Sequence, residues 1–290
     1  MSITLQNTHL TVGIHEKGAE LYSIRHHLHN LEYMWSGDPA FWGKTSPVLF
    51  PIVGTLKNNT YYYNDKAYTL SRHGFARDHV FEVEEQTGDS AVFLLRSQED
   101  MLARYPFPFE LRIRYVLLED AVQVAYTVTN TGPATMYFSL GAHPAFRVPM
   151  VAGTQYEDHY LAVTLTEDAP HWPISAQGLL ETTPQPFLQK TNRITLQHKL
   201  FENDAIVLKD LRSDVISLRS DKHAHGLDFT YTEFPYMGLW AAPGADFVCI
   251  EPWCGVADSV DHNQQLTVKE GIEQLEAGRE WSRRWTARFY

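Results

Sequence analysis

Two short segments more than a hundred residues apart each place one titratable side chain inside an apolar run. His143 lies in Ser139-Leu140-Gly141-Ala142-His143-Pro144-Ala145-Phe146, and Glu251 in Phe247-Val248-Cys249-Ile250-Glu251-Pro252-Trp253. Burying a histidine or a carboxylate is unfavourable unless the group is paired, and the same surroundings push its pKa toward the neutral form. A His/Glu couple of this kind suits general acid–base chemistry near neutral pH. The same residues would also serve as two satisfied polar groups in a core.

A second cluster, His73-Gly74-Phe75-Ala76-Arg77, sits between two strand-like runs. Gly74 lets the backbone bend or a ligand approach closely. His73 and Arg77 then point polar groups into a cleft, or decorate an ordinary turn. Upstream, Ser46 to Lys57 is apolar, twice interrupted by proline, and ends in a glycine and a base, which suits an edge or a loop lining a pocket. Asp204, Asp228, Asp258 and Asp261 read individually as solvated turn residues. Asp204 stands out because it immediately precedes the apolar run Ala205-Ile206-Val207-Leu208. The densest histidine spacings are His26, His27 and His29, and His223 with His225. None joins a recognisable tetrahedral ligand set, so they read as surface histidines and no metal is expected. Trp42, Phe75, Phe146, Tyr236, Trp240 and Trp253 lie near these motifs. Such rings can stack on the apolar face of a sugar while hydrogen bonds read its hydroxyls, or simply fill a core.

The elements that must hold these groups are strands. Leu10–Ile14, Ala91–Leu95, Glu110–Leu117 and Ala121–Val128 alternate with period two. Tyr61–Leu70 reads as a hairpin with Asn64-Asp65 at its tip. Further strands are expected at Val215–Arg219, Met237–Ala241 and Trp281–Phe289. Ser97-Gln98-Glu99-Asp100 has the form of a capping box and predicts a short helix. Residues 262–277 suit a short helix or a strand. Pro170 to Pro186 reads as a long surface loop. The spacing of strands and turns predicts an all-β antiparallel sandwich or barrel, as one domain over residues 1–290.

Composition bounds the function. The chain has 290 residues, 44% of them hydrophobic and 13% aromatic, enough for one large core. A formal charge of −11 argues against nucleic-acid binding, which relies on neutralising phosphates. The N-terminal Met1-Ser2-Ile3-Thr4-Leu5 has no basic region leading into an apolar stretch, so no signal peptide is expected. No run is long enough for a membrane helix. Cys249 and Cys254 are the only cysteines, and they read as free thiols of a reduced cytoplasmic protein.

Taken in order, SPVLFPIVGTL, HGFARD, YPFPFELRIRYVL, SLGAHPAF, LFENDAIVL and FVCIEPWCGVADS, within residues 46 to 259, resemble the aldose 1-epimerase (galactose mutarotase) family, particularly its LacX-like branch. The resemblance implies a large two-sheet β-sandwich, a supersandwich, with a sugar bound on a concave face and no cofactor. It makes His143 the general acid and Glu251 the general base. His73 becomes a second active-site histidine and Asp204 a sugar-binding aspartate; of the aromatic residues near the motifs, Trp253 is the one expected beside the substrate. One departure is plain: family members carry an Asn-Arg pair after the early glycine, whereas this chain reads Gly54-Thr55-Leu56-Lys57-Asn58-Asn59. Lys57 or Arg77 is the expected substitute. The expected partner is a small sugar, an aldohexose or its phosphate, since HGFAR also resembles the hexose-6-phosphate 1-epimerase branch. A non-catalytic sugar-binding protein on the same fold is the remaining reading, and the chain is expected to be a monomer or homodimer.

Overall fold

The structure, a computed structural model, describes all 290 residues. Its largest element is a nine-stranded antiparallel sheet. In spatial order the strands are Gln185–Thr195, His159–His171, Val215–Ser220, Leu227–Thr230, Glu280–Phe289, Ala121–Asn130, Phe109–Leu118, Ser90–Arg96 and Glu82–Gln86. The alternation that marked the central strands becomes burial. Phe109, Leu111, Ile113, Tyr115 and Leu117 are buried, and Leu111, Ile113 and Leu117 pair with Val128, Tyr126 and Val122. Like residues opposite one another in register put one continuous apolar face on the core.

That face is covered by a smaller sheet in the order Leu140–Gly141, Phe247–Cys254, Tyr236–Trp240 and Ile206–Lys209, with Ala145–Arg147 also paired to Phe247–Cys254. Phe146 meets Phe229 at 6.0 Å between ring centroids, and Phe138 meets Trp281 edge-on at 5.2 Å. A single cluster of 73 buried residues draws on both sheets, which makes this the all-β sandwich expected. A four-stranded N-terminal sheet (Ser2–Gln6, Leu10–His15, Glu20–His26 and Leu31–Glu32) joins the same core. Tyr115 ties it in by donating its hydroxyl to the Ala19 carbonyl at 2.7 Å.

Most local expectations are met. The tyrosine hairpin runs Thr60–Tyr63 and Lys66–Thr69, with Asn64 and Asp65 both in the left-handed region, as a tight primed turn demands. The short helix is Glu99–Leu102. Its capping box does not form, however: Gln98 takes the N-cap position, and the Ser97 hydroxyl instead accepts the Phe109 N–H. Residues 262–277 resolve into a 3₁₀ turn, Leu266–Val268, and a strand, Glu273–Leu275. Both cysteines are free and buried, and no helix is long and apolar enough to cross a membrane.

A further expectation fails. Pro170 to Pro186 is no loose surface loop, because flanking strands extend into both its ends. Between them Trp172 bridges to Val207, Leu180 bridges to Ser259, and Leu179 and Leu180 are buried. The prolines interrupt ladder pairing, but Trp172, Ile174 and Leu180 pack with Val207 and Trp253 of the small sheet and anchor the segment across it as a roof.

Candidate active site

Phe247–Cys254 is buried along its whole length, so any polar side chain on it is buried too. Glu251 and Trp253, two apart, share one face. Gly141 pairs with Trp253 and Ala145 with Cys249, and continuing that register places His143 directly across from Glu251. The ladder opens at this point because Pro144 and Pro252 have no N–H. The remaining bonds, from Ala142 N–H to the Pro252 carbonyl and from Ile250 N–H to the Pro144 carbonyl, hold the strands at 3.1 and 3.3 Å. His143 Nε2 lies 3.2 Å from Glu251 Oε2, with 9% and 2% of the side chains exposed.

The couple forms the floor of a cavity of about 290 Å³, close to the lower bound for small-molecule sites and enough for roughly one monosaccharide. Trp42 stacks on the His143 ring at 4.9 Å and Trp240 meets it edge-on at 5.6 Å. Trp253 lies across two glycines. A Cβ on Gly238 would fall 2.3 Å from the Trp253 ring, and one on Gly141 would fall 2.5 Å from it. Only glycine at both places lets the indole lie down against the sheet.

His73 approaches His143 edge-on at 5.8 Å. Its backbone is left-handed, φ 68°, a conformation that a non-glycine residue keeps only when its surroundings enforce it. The Gly54 N–H donates to His73 Nδ1 at 3.1 Å. Burial, helped by His143, Arg72 and Arg77, holds the His73 pKa well below the usual histidine range. His73 is therefore neutral with its proton on Nε2, a hydrogen-bond donor. Asp204, also left-handed at φ 73°, accepts from Ala205 N–H at 2.7 Å and from Arg72 Nη2 at 3.1 Å on each carboxylate oxygen. Arg77 donates to the Arg72 carbonyl at 2.8 Å and has no carboxylate within ion-pair distance.

Burial dominates the electrostatics of the couple. It pushes Glu251 well above the ordinary carboxylate range, opposed by Arg72 and reinforced by Asp204. It pushes His143 down to about 3, with Arg77 and Arg72 adding to the effect. Burial thus favours the uncharged form of both members, the protonated carboxyl of Glu251 and the neutral imidazole of His143. His143 Nδ1, Glu251 Oε2 and Trp253 Nε1 are all buried without a hydrogen-bond partner. Native interiors rarely leave such groups unpaired, and each needs a reason. Ligand atoms of His143, Cys249 and Glu251 come within 4.8 Å of one another, a donor set of the right types for a metal. Burial favours the protonated forms of both Cys249 and Glu251, however, and a metal needs them deprotonated.

Six of the expected site residues, His73, Arg77, His143, Asp204, Glu251 and Trp253, line this one cavity. Lys57 does not. Its ammonium donates to the His262 carbonyl at 3.3 Å and its N–H to Asp258 Oδ2 at 2.9 Å. Asp258, expected to be solvated, is 1% exposed and paired with Lys269 at 2.9 Å. Arg72 was not singled out for the site. Its only signal is a base immediately before His73. Ile174 and Gly178, from the roof segment, complete the wall.

Fold and site together define an all-β protein with a small-molecule pocket whose floor is a buried acid–base couple. The chain matches the aldose 1-epimerase family over residues 1–282 and belongs to it. It is 35% identical over 284 residues to the chromosomal LacX protein of Lactococcus lactis subsp. lactis, covering 95% of both chains. Among solved structures, a galactose mutarotase related enzyme from Lactobacillus acidophilus superposes with a TM-score of 0.96 at 34% identity, covering 100% of this chain and 97% of that one. A galactose mutarotase-like protein from Lactobacillus casei gives 0.94 at 30% identity, with full coverage of both.

Proposed function

We propose that the protein is a cofactor-independent aldose 1-epimerase that interconverts the α and β anomers of a hexose. The observation that carries this reading is the His143–Glu251 couple, 3.2 Å apart and sealed in the floor of an aromatic pocket. Pure binding has no use for it. Opening a hemiacetal needs one group to take the proton from the anomeric hydroxyl and another to protonate the ring oxygen as its bond to C1 breaks. Glu251 serves as the base and His143 as the acid. For this the proton that burial favours on Glu251 must pass to His143, whose Nε2 lies 3.2 Å from Oε2, with no change in net charge. Sugar hydroxyls donating to Glu251 favour the ionised form. Rotation about C1–C2 exposes the other carbonyl face, and reclosure with both transfers reversed gives the other anomer. The Nε2–H of His73 and the carboxylate of Asp204 read neighbouring oxygens, and Trp253 packs on the ring.

The rate of mutarotation of fresh α-anomers, followed by polarimetry, tests this directly. A second reading has its own support. Arg72 is neutralised by Asp204, but Arg77 is a cation at the pocket wall bonded only to a carbonyl, with Asp78 and Glu20 adding a compensating negative field. A phosphate on the sugar would pair with it by charge-assisted hydrogen bonds. On this reading millimolar inorganic phosphate inhibits, and inhibition disappears in Arg77→Ala. On the neutral-sugar reading phosphate has no effect on either protein.

A further inference from the structure

Six of the fourteen histidines form a chain of ring contacts that includes no residue of the pocket: His9, His26, His29, His225, His223 and His159. At its end the Nε2 atoms of His159 and His223 lie 3.2 Å apart. The other nitrogens decide what this contact is. His159 Nδ1 lies 2.9 Å from the Gln155 carbonyl oxygen, and His223 Nδ1 lies 3.1 Å from the His225 carbonyl oxygen. A carbonyl oxygen only accepts, so both Nδ1 atoms carry hydrogen. In the neutral rings each Nε2 then presents a lone pair, and the two lone pairs face each other. With both Nδ1 bonds kept, an extra proton or a metal ion between the lone pairs relieves their repulsion.

Burial works against the proton, lowering the pKa of both rings; for His223 the neighbouring His159 lowers it further. The geometry suits the metal. Two imidazoles bound at about 2.05 Å to one tetrahedral ion hold their nitrogens about 3.3 Å and their ring centroids roughly 5.3 Å apart. The observed separations are 3.2 Å and 5.2 Å. Metal-binding histidines typically donate the second ring N–H to a backbone carbonyl, which fixes the tautomer and raises ligand basicity, and both rings do so here. The Asp158 carboxylate adds a favourable negative field at both rings.

We propose that His159 and His223 form a two-histidine site for a borderline divalent transition-metal ion, Zn²⁺ above all, with water completing the coordination. The site joins the start of strand His159–His171 to the turn after Val215–Ser220, positions 64 residues apart. Only the folded chain presents it, so the ion acts as a clip that stabilises the fold by mass action.

The test uses the full chain, stripped of metal by a chelator and titrated with Zn²⁺ by calorimetry in a non-coordinating buffer. Imidazole ¹⁵N spectra are recorded in parallel. The expected result is saturable micromolar binding, a raised unfolding temperature, and displacement of the His159 and His223 Nε2 resonances on metal addition. His223→Ala should weaken the binding by at least about tenfold, since removing even an outer partner of a ligand costs that much. His29→Ala, further along the histidine chain, should leave it unchanged. His159→Gln serves as a second variant, with folding checked by circular dichroism. The proposal is overturned if no saturable binding occurs up to millimolar Zn²⁺, or if binding survives His223→Ala. It is equally overturned if the metal-free spectra show an imidazolium in the pair at neutral pH that Zn²⁺ does not displace.

Discussion

Glu251 and Asp258 stand seven residues apart, and each is 1% exposed, yet their surroundings treat them in opposite ways. Burial alone would raise the Asp258 pKa. The charge of Lys269 and the hydrogen bonds from its ammonium and from the Lys57 N–H, with His262 close by, outweigh it and hold the carboxyl at about 2. Lys269, 1% exposed on its side chain, also donates to the Val256 carbonyl, so the ion pair sits inside a completed network. Glu251 has no such network. Its nearest titratable partner is a histidine whose own pKa burial depresses, and one of its oxygens has no hydrogen-bond partner. A buried charge that is fully satisfied holds structure in place. A buried carboxyl pushed toward its protonated form, against unpaired neighbours, is a group prepared for a ligand.

The comparison breaks most visibly at Lys269. Lys269→Met strips Asp258 of its cation and leaves a buried charge, for which about 3–5 kcal/mol of stability is lost. Urea unfolding measures it, and a change below about 1 kcal/mol would mean that the network is not structural. The floor of the pocket comes next. Gly238→Ala forces the Trp253 ring off the sheet, with a loss of about 1–3 kcal/mol from overpacking and a raised KM. A crystal structure of the variant with Trp253 unmoved would contradict the role given to the glycine.

The smallest effect is the most diagnostic. Folded Glu251 holds its proton above the ordinary pKa of 4.5, so it supports stability fully below that value and loses that contribution as pH rises toward its folded pKa. Glu251→Gln removes the dependence. The variant should therefore gain on wild type as pH rises above 4.5, by at most about 1.4 kcal/mol per pH unit. Urea midpoints at several pH values measure the gain, and a difference that stays constant with pH would show that Glu251 ionises normally. Asp258→Asn should show the opposite sign in a lower window, losing on wild type as pH rises from about 2 toward the ordinary value of 3.8 and running parallel to it above.

Much of this contrast was legible in the chain, and the rest was not, for identifiable reasons. Period-two alternation in 109–117 and 121–128 reports a sheet with one buried face, and the apolar strand around Glu251 reports burial of the carboxyl itself. Both are local signals. The fate of Asp258 depends on Lys269, eleven residues on, around a turn whose course no periodicity dictates. Lys57 was expected in the pocket because it follows the early glycine, but its own N–H binds Asp258 and its ammonium turns toward His262. Arg72 and the roof residues Ile174 and Gly178 reach the site only through tertiary packing. The prolines of the roof obscured the apolar anchors between them, and the His159–His223 contact joins residues that no spacing rule connects.

The central claim, that His143 and Glu251 act as one acid–base unit, is tested by polarimetry of freshly dissolved α-hexoses and their 6-phosphates with wild type, His143→Asn, Glu251→Gln and the double variant. Wild type should accelerate mutarotation, and each single variant should lower kcat by about 10²–10⁴ with little change in KM. The double variant should lose less than the product of the two, as groups acting in one step do. Because burial lowers the His143 pKa and raises that of Glu251, the wild-type rate should stay flat between the two and should not fall near the ordinary histidine pKa. A folded wild type that leaves the mutarotation of every aldose and phosphoaldose at the buffer rate, or variants that change only KM, would contradict the account.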